Sequence, residues 1–411
     1  MSGPSTSSTI ISPQTRAVRA SRWIIRMVLP VGWLALLTGL FWIGDRSLFH
    51  KLYYALIAFP ALIALVMQPT LSARLLRHPI LIAYIAFASY MTLTLLWTDS
   101  DTSALSLIKR PIYVLVLLLS AALLASERSQ LLSRTLRAAG VAAAISGALS
   151  YGYFLYNGHG IFGNERFSGY GTLYNPLLSA HVYGFFAAFW LASWFTGREP
   201  SAVPLICLAL LGVVIVATGS RTPLLALSTT ALWLCMLNVN RRSLMVIVIG
   251  LVLGAGLLYL YPSTIMSRGL SYRPDIWIEA LKLANEQPLF GYGYDHHLML
   301  ELEGLELAFN DPHNIELAVL LAGGLVGMAM WIALYAIALV YSWRNRRDAA
   351  VVITSALLIF GLVAGLTEGR DFLSRPKEHW FLIWIPFALT IDAWIGASSR
   401  KGNGLESSQQ A

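Results

Sequence analysis

Apolar runs of membrane-spanning length recur a dozen times along this 411-residue chain. They fall at about 24–43, 50–68, 79–97, 111–126, 138–155, 178–196, 202–218, 223–238, 243–261, 313–342, 349–366 and 379–396. A helix needs roughly 20 apolar residues to cross the ~30 Å hydrocarbon core of a bilayer. In lipid every backbone N–H and C=O must find its partner within the structure, which favours helices. The composition agrees, with 57% hydrophobic and 12% charged residues, against roughly 25% charged in soluble domains. The expected fold is an all-α integral membrane protein of about twelve transmembrane helices. The first run, Ile24 to Ile43, reads as an uncleaved anchor. Cys207 and Cys235 lie within apolar runs and fit neither a metal spacing nor a disulfide framework.

An even number of spans puts both termini on one side, and the positive-inside rule chooses it. With the N-terminus cytoplasmic, the cytoplasmic segments hold 17 of the 29 basic residues and 5 of the 21 acidic ones. The other side then carries a net charge of −4. The overall charge of +8 is therefore an orientation signal, and no nucleic-acid partner is expected. The expected organisation is a cytoplasmic tail over 1–23, helices 1–9 over 24–261, and a long trans-side loop over 262–312. Helices 10–12 over 313–396 and a cytoplasmic tail over 397–411 complete it. The Ser/Thr-rich start and the "GNGLESSQQA" end read as disordered. Function is expected on the trans face, periplasmic in a double-membraned cell, where the loops 156–177, 262–312 and 367–378 are substantial.

The longest of these loops exceeds what a connector needs. Pro274 suits a first helical turn, and Ile276, Trp277, Ala280, Leu281 and Ala284 then recur at helical spacing. That predicts an amphipathic helix on the membrane surface or capping the bundle. After it come Pro288, the glycine turn "LFGYGYDHH", and "DPHNIELAVLLAGGLVG". Here Asp311 suits an N-cap, with Pro312 at N1 and His313 at N2. The positive helix end favours a neutral His313 ring able to accept a proton, with Glu316 one turn on. Two readings of His313 stand: a hydrogen-bonding residue at a helix start, or a proton acceptor.

Arginines near membrane depth are costly and usually functional. Arg221 sits in the turn "TGSRTP", Arg273 precedes the amphipathic helix, Arg166 lies in "GNERFSGYG", and Arg370, Arg375 and Lys377 crowd the last trans loop. Singly, each serves as an interface anchor or ion-pair partner; as a set they suit an anionic lipid headgroup, since a guanidinium fork matches phosphate. Asp99-Ser100-Asp101 spells D-x-D, and Asp295, His296 and His297 are adjacent. Both sets read more readily as polar turns than as metal sites. No Walker A loop, dinucleotide fingerprint or G-x-S-x-G elbow is present.

Three segments occur in order: "GSRTPLLAL", "RPDIWIEALKLANEQPLFGYGY" and "HNIELAVLLAGGLVG". Together, on a twelve-span chain, they resemble the O-antigen ligase and polymerase superfamily, most closely over about 215–330. The N-terminal half is similar only in hydropathy and topology. The resemblance implies glycan transfer from an undecaprenyl-diphosphate carrier on the periplasmic face of the bacterial inner membrane. In ligase members the acceptor is the lipid A–core oligosaccharide. The family's functional histidine falls on His313, and its basic residues on Arg221 and Arg273, with Arg166 and Arg370 as further expected diphosphate contacts. The residue chemistry agrees: guanidinium groups offset the charge of a diphosphate leaving group, and a neutral histidine accepts a hydroxyl proton. No metal and no other cofactor is expected. The expected partners are undecaprenyl-diphosphate-linked O-antigen, lipid A–core and membrane lipids. Twelve spans with one dominant loop before the histidine helix favour a ligase over a polymerase or a protein oligosaccharyltransferase. A lipid-linked glycan transporter is the reading from another class. It calls for charge along a path open alternately to both sides, often with repeat symmetry. Here the charges gather on one side and no repeat is evident.

Overall fold

The structure is a computed structural model that describes residues 13–127, 130–160, 165–197, 202–260, 272–302 and 308–409. It is mostly helical, and among the described residues most of each apolar run is helical. Among the described residues eight helices are long and apolar enough to cross a membrane. They are Arg16–Phe41, Arg46–Met67, Pro79–Leu96, Ala104–Glu127, Leu131–Tyr156, Pro176–Thr196, Ile315–Arg344 and Glu378–Arg400. Ala202–Ala217, Arg221–Leu237 and Ala349–Gly365 are shorter apolar helices, and Arg241–Leu260 is a further helix. The chain is a membrane protein built as a helical bundle.

Burial sorts these helices into centre and rim. In Pro176–Thr196 and Glu378–Arg400, 83% of the most apolar stretch is inside the protein, against 33% in Arg46–Met67 and Leu131–Tyr156. The central pair carry aromatic bulk: Trp190 and Trp384 are fully buried. Trp384 meets Tyr84 edge-on at 5.0 Å and Trp331 at 5.8 Å, a geometry that aromatic quadrupoles favour. The rim turns residues such as Val66 and Leu149 outward, as lipid-facing positions require. In the first two helices a π-helical turn stands just before a proline, Ile24–Val28 before Pro30 and Tyr54–Ala58 before Pro60. A proline ring collides with the carbonyl four residues back, and those carbonyls, of Arg26 and Leu56, lie within the widened turns.

Two expectations need correction. The last helix, Trp384–Gln409, runs through the segment expected to be a disordered tail, whereas the Ser/Thr-rich start before Pro13 lies outside the described residues. The helix in the long loop is present as Arg273–Glu286, but Leu281 is 47% exposed. Ile276, Ala280 and Ala284 form its buried inward stripe, with Trp277 and Leu283 partly buried beside them, against Leu298, Leu300, Leu302 and Leu321. That small core seats the helix on the Ile315–Arg344 helix and on a short antiparallel pair, Leu300–Glu301 with Ala308–Phe309. Residues 262–271 of the expected loop lie outside the described residues.

Candidate active site

The Ile315–Arg344 helix is two helices joined at a break. Gly324 has φ +60° and ψ −161°, a backbone open essentially to glycine alone. The break frees backbone groups, and the glycine turn after Pro288 takes them up. Tyr292 and Gly293 donate their N–H groups to the carbonyls of Leu321 and Ala322, at 2.8 and 2.9 Å. Leu325 and Val326 donate back to Pro288 and Leu289, at 2.8 and 3.2 Å. A Cβ on Gly324 would stand 2.3 Å from the Leu289 oxygen, and one on Gly291 2.5 Å from the Leu321 oxygen. The motifs "PLFGYGY" and "LLAGGLVG" are thus two halves of one backbone joint. Irregular backbone survives at membrane depth only when protein satisfies it in this way.

His313 stands at the head of this helix, though not where the sequence suggested. Asn314, rather than Asp311, is the N-cap: its side-chain oxygen accepts from Leu317 N at 3.0 Å. Asp311 instead accepts from the backbone N–H of His313 itself, at 2.8 Å, closing a local turn of the kind aspartate favours. His313 is therefore one residue outside the helix, with φ +48°. That left-handed conformation costs a non-glycine residue roughly 1–2 kcal/mol. It keeps the imidazole partly exposed, with Nδ1 3.9 Å from the Asp311 carboxylate. The indole of Trp277 fixes the segment by donating to the Pro312 carbonyl at 3.1 Å. Glu316 does not orient the ring; it is largely buried on the helix side, and its Oε2 has no hydrogen-bond partner in the protein.

The arginines divide into two kinds. Arg166 donates Nε to the Thr218 carbonyl at 2.7 Å and Nη2 to the Ser220 hydroxyl at 2.8 Å, so it braces the turn that presents Arg221. Arg370 donates to the carbonyls of Asn310 and His296, at 2.7 and 2.9 Å, stapling the His313 segment to the glycine-turn segment. Arg221 opens its helix at an exposed position, and Arg273 opens the loop helix half-buried. Thr367 donates to the Thr222 hydroxyl at 2.7 Å. Through these contacts the elements carrying all five expected residues meet at one end of the bundle.

Beneath them lies a buried polar cluster that sequence reasoning missed. Glu368, His379, Glu378 and Ser374 of the last loop and His181 of the central Pro176–Thr196 helix are all buried. Each has side-chain polar atoms without a hydrogen-bond partner in the protein. Glu378 is held by Arg46 at 2.8 Å, and Lys377 pairs with Asp371. Glu368 lies 3.9 Å from His379 Nε2. Burial above all pushes its carboxyl up to about 7; Asp311 adds to the rise, and the Arg273 and Lys377 charges oppose it.

The family model described as O-antigen ligase matches residues 206–332. A curated relative, the O-antigen ligase of Pseudomonas aeruginosa, is 48% identical over 391 residues, covering 94% of this chain and 96% of that protein. The chain belongs to the O-antigen ligase family. Its matched segment contains Arg221, Arg273, His313 and both halves of the backbone joint. Arg166, Arg370 and Glu368 lie outside that segment and reach it through the contacts above.

In this O-antigen ligase family member the two weaker candidate sets of the sequence hold one another. Asp99 accepts from the His297 backbone N–H at 2.8 Å, and Asp101 pairs with the His297 ring. Asp295 accepts from Ser100 at 2.8 Å and forms an ion pair with Arg110 at 3.0 Å. The buried His296 ring bonds the Gly293 carbonyl at 3.1 Å. These contacts brace the glycine-turn segment against the 97–103 loop.

Proposed function

We propose that this protein is an O-antigen ligase that transfers the glycan of an undecaprenyl-diphosphate carrier to lipid A–core on the periplasmic face of the inner membrane. The observation that carries this reading is the near full-length similarity to the Pseudomonas aeruginosa O-antigen ligase. The proposed topology is twelve spans with both termini cytoplasmic, which puts the Arg221, Arg273 and His313 end in the periplasm. In the reaction the acceptor hydroxyl gives its proton to the His313 ring as its oxygen bonds the anomeric carbon. The bond from that carbon to the diphosphate breaks, and its electron pair leaves with the diphosphate. Attack opposite the leaving group inverts the anomeric centre. Arg221 and Arg273 stabilise the charge that develops on the departing diphosphate, and a positioned base such as His313 contributes typically 10²–10⁴-fold. Arg166 and Arg370 serve the donor indirectly, by holding the backbone of the turn and of the His313 segment. The donor already stores the energy of transfer, so no nucleotide is required.

The test uses purified protein in detergent with undecaprenyl-diphosphate glycan and rough lipopolysaccharide, with EDTA and without nucleotide. Conversion to capped lipopolysaccharide by wild type and its loss in His313→Ala is the expected result. Transfer by His313→Ala at a rate near wild type would remove the base from the mechanism. No transfer by folded wild type with active donor would overturn the ligase reading in favour of another acceptor.

A further inference from the structure

The buried carboxyl of Glu368 is the group of this cluster most tightly tied to the site. The residue before it, Thr367, bonds Thr222 beside Arg221. Two residues after it, Arg370 bonds Asn310 beside Asp311. Glu368 thus sits on the short stretch of chain that joins the Arg221 turn to the His313 segment. Its side chain is nine-tenths buried, with Oε2 unpartnered in the protein and Oε1 too far from His379 for a hydrogen bond. We propose that Glu368 is the resting counter-ion of the arginine clamp: a diphosphate bound at Arg273 displaces its charge, and Glu368 takes up a proton. The inference rests on the reading of Arg221 and Arg273 as the diphosphate clamp. Glu368 is accordingly a positioning residue that acts through Arg273.

The charged groups around it favour that exchange. The charges of Asp311 on the His313 segment, of Arg273 on the loop helix, and of Lys377 and Glu378 in its own loop act on it, and His379 lies 3.9 Å away. Behind His379 stand His181, Asp371 and Arg46. Among the described residues Lys377 is paired with Asp371 and Arg46 with Glu378, whereas Arg273 holds no ion pair. Among the described residues, of the two cations whose charge acts on Glu368, Arg273 is therefore the one left open to its ionised form. A buried carboxylate without donors is costly, and a second anion nearby makes it costlier still. The sign follows. Below about pH 7 the carboxyl is protonated and the guanidinium is open to phosphate. Above it, the carboxylate competes for Arg273 and donor affinity falls, by at most about tenfold per pH unit for a single linked proton.

The experiment is calorimetric binding of a polyprenyl diphosphate sugar to the detergent-solubilised full chain. Both phosphates of this probe are esterified, so its charge is constant from about pH 6 to about pH 9 while linkage is followed. Titrations in buffers of different ionisation heat report protons taken up. Wild type is expected to bind more weakly as pH rises above about 7, with proton uptake on binding. Glu368→Gln, nearly isosteric, is expected to bind with flat affinity across the range and to lose that uptake. The same slope and uptake in Glu368→Gln as in wild type would overturn the role of Glu368, as would no uptake by wild type itself. Arg273→Ala separates the two levels. If it leaves binding unchanged at every pH, the clamp reading fails and this inference with it. If it weakens binding while Glu368→Gln keeps the wild-type slope, the inference alone fails.

Discussion

The backbone joint at Gly324 and the polar cluster around Glu368 stand near one end of the same bundle, yet they treat polarity in opposite ways. At the joint the groups exposed by the helix break are answered at 2.8 to 3.2 Å by the turn after Pro288. In the cluster, buried carboxyl, imidazole and hydroxyl atoms remain without partners in the protein. Satisfied polarity fixes a shape; unsatisfied buried polarity costs free energy that is worth keeping only where charge must change hands. The first region therefore reads as scaffold and the second as part of the machinery.

The comparison breaks most sharply at Gly324. Gly324→Ala forces a Cβ to 2.3 Å from the Leu289 oxygen in a glycine-only conformation. It should cost on the order of 3 kcal/mol or more and remove the monodisperse peak in size-exclusion chromatography; a well-behaved variant would mean the joint is not scaffold. His313→Ala should do the reverse. It should slow transfer by about 10²–10⁴-fold while leaving the thermal transition near that of wild type, since the ring is partly exposed. Arg221→Ala and Arg273→Ala should each weaken donor use by roughly 10- to 100-fold, the range of a hydrogen bond to a charged group, with acceptor saturation unchanged. A fall in acceptor use alone would move both residues to the other substrate. Arg370→Ala should blur the two classes, because its guanidinium binds two backbone carbonyls. A drop of a few degrees in Tm together with a partial loss of transfer is expected, and loss of transfer at unchanged Tm would make Arg370 a direct donor contact. The smallest expected effect is that of EDTA, which should leave transfer rates intact. Strong inhibition would reopen the junction of Asp99, Asp101 and His297.

What the sequence made legible follows from the physics of each part. Long apolar runs are imposed by lipid, so the helices could be read one by one. Arg221, Arg273 and His313 stood out because charge or titration at a span edge needs a reason. The joint was invisible because its halves, near 290 and 323, pair only once the chain is folded, although each was marked by glycines. The cap was misassigned because Asp311 and Asn314 are both good caps, and only the left-handed turn at His313 decides between them. Glu368 carried no signal in the sequence; it is an acidic residue just beyond a span, and its burial arises only once the chain is folded. No local pattern encodes that. Leu281 fitted the helical stripe and still faces outward, because the stripe that packs is narrower than the apolar one.

The two-part joint also sets a rule for recombining members of this family. Residues 288–293 and 321–326 share four backbone hydrogen bonds, and the chain between them carries the Asp311–Asn314 turn. A chimera that takes its crossover point between these halves must marry a turn from one parent to a break from another. One that exchanges about 288–327 as a single cassette carries the lock and the histidine together. Keeping that cassette whole is therefore the condition for recombining such chains without breaking the lock.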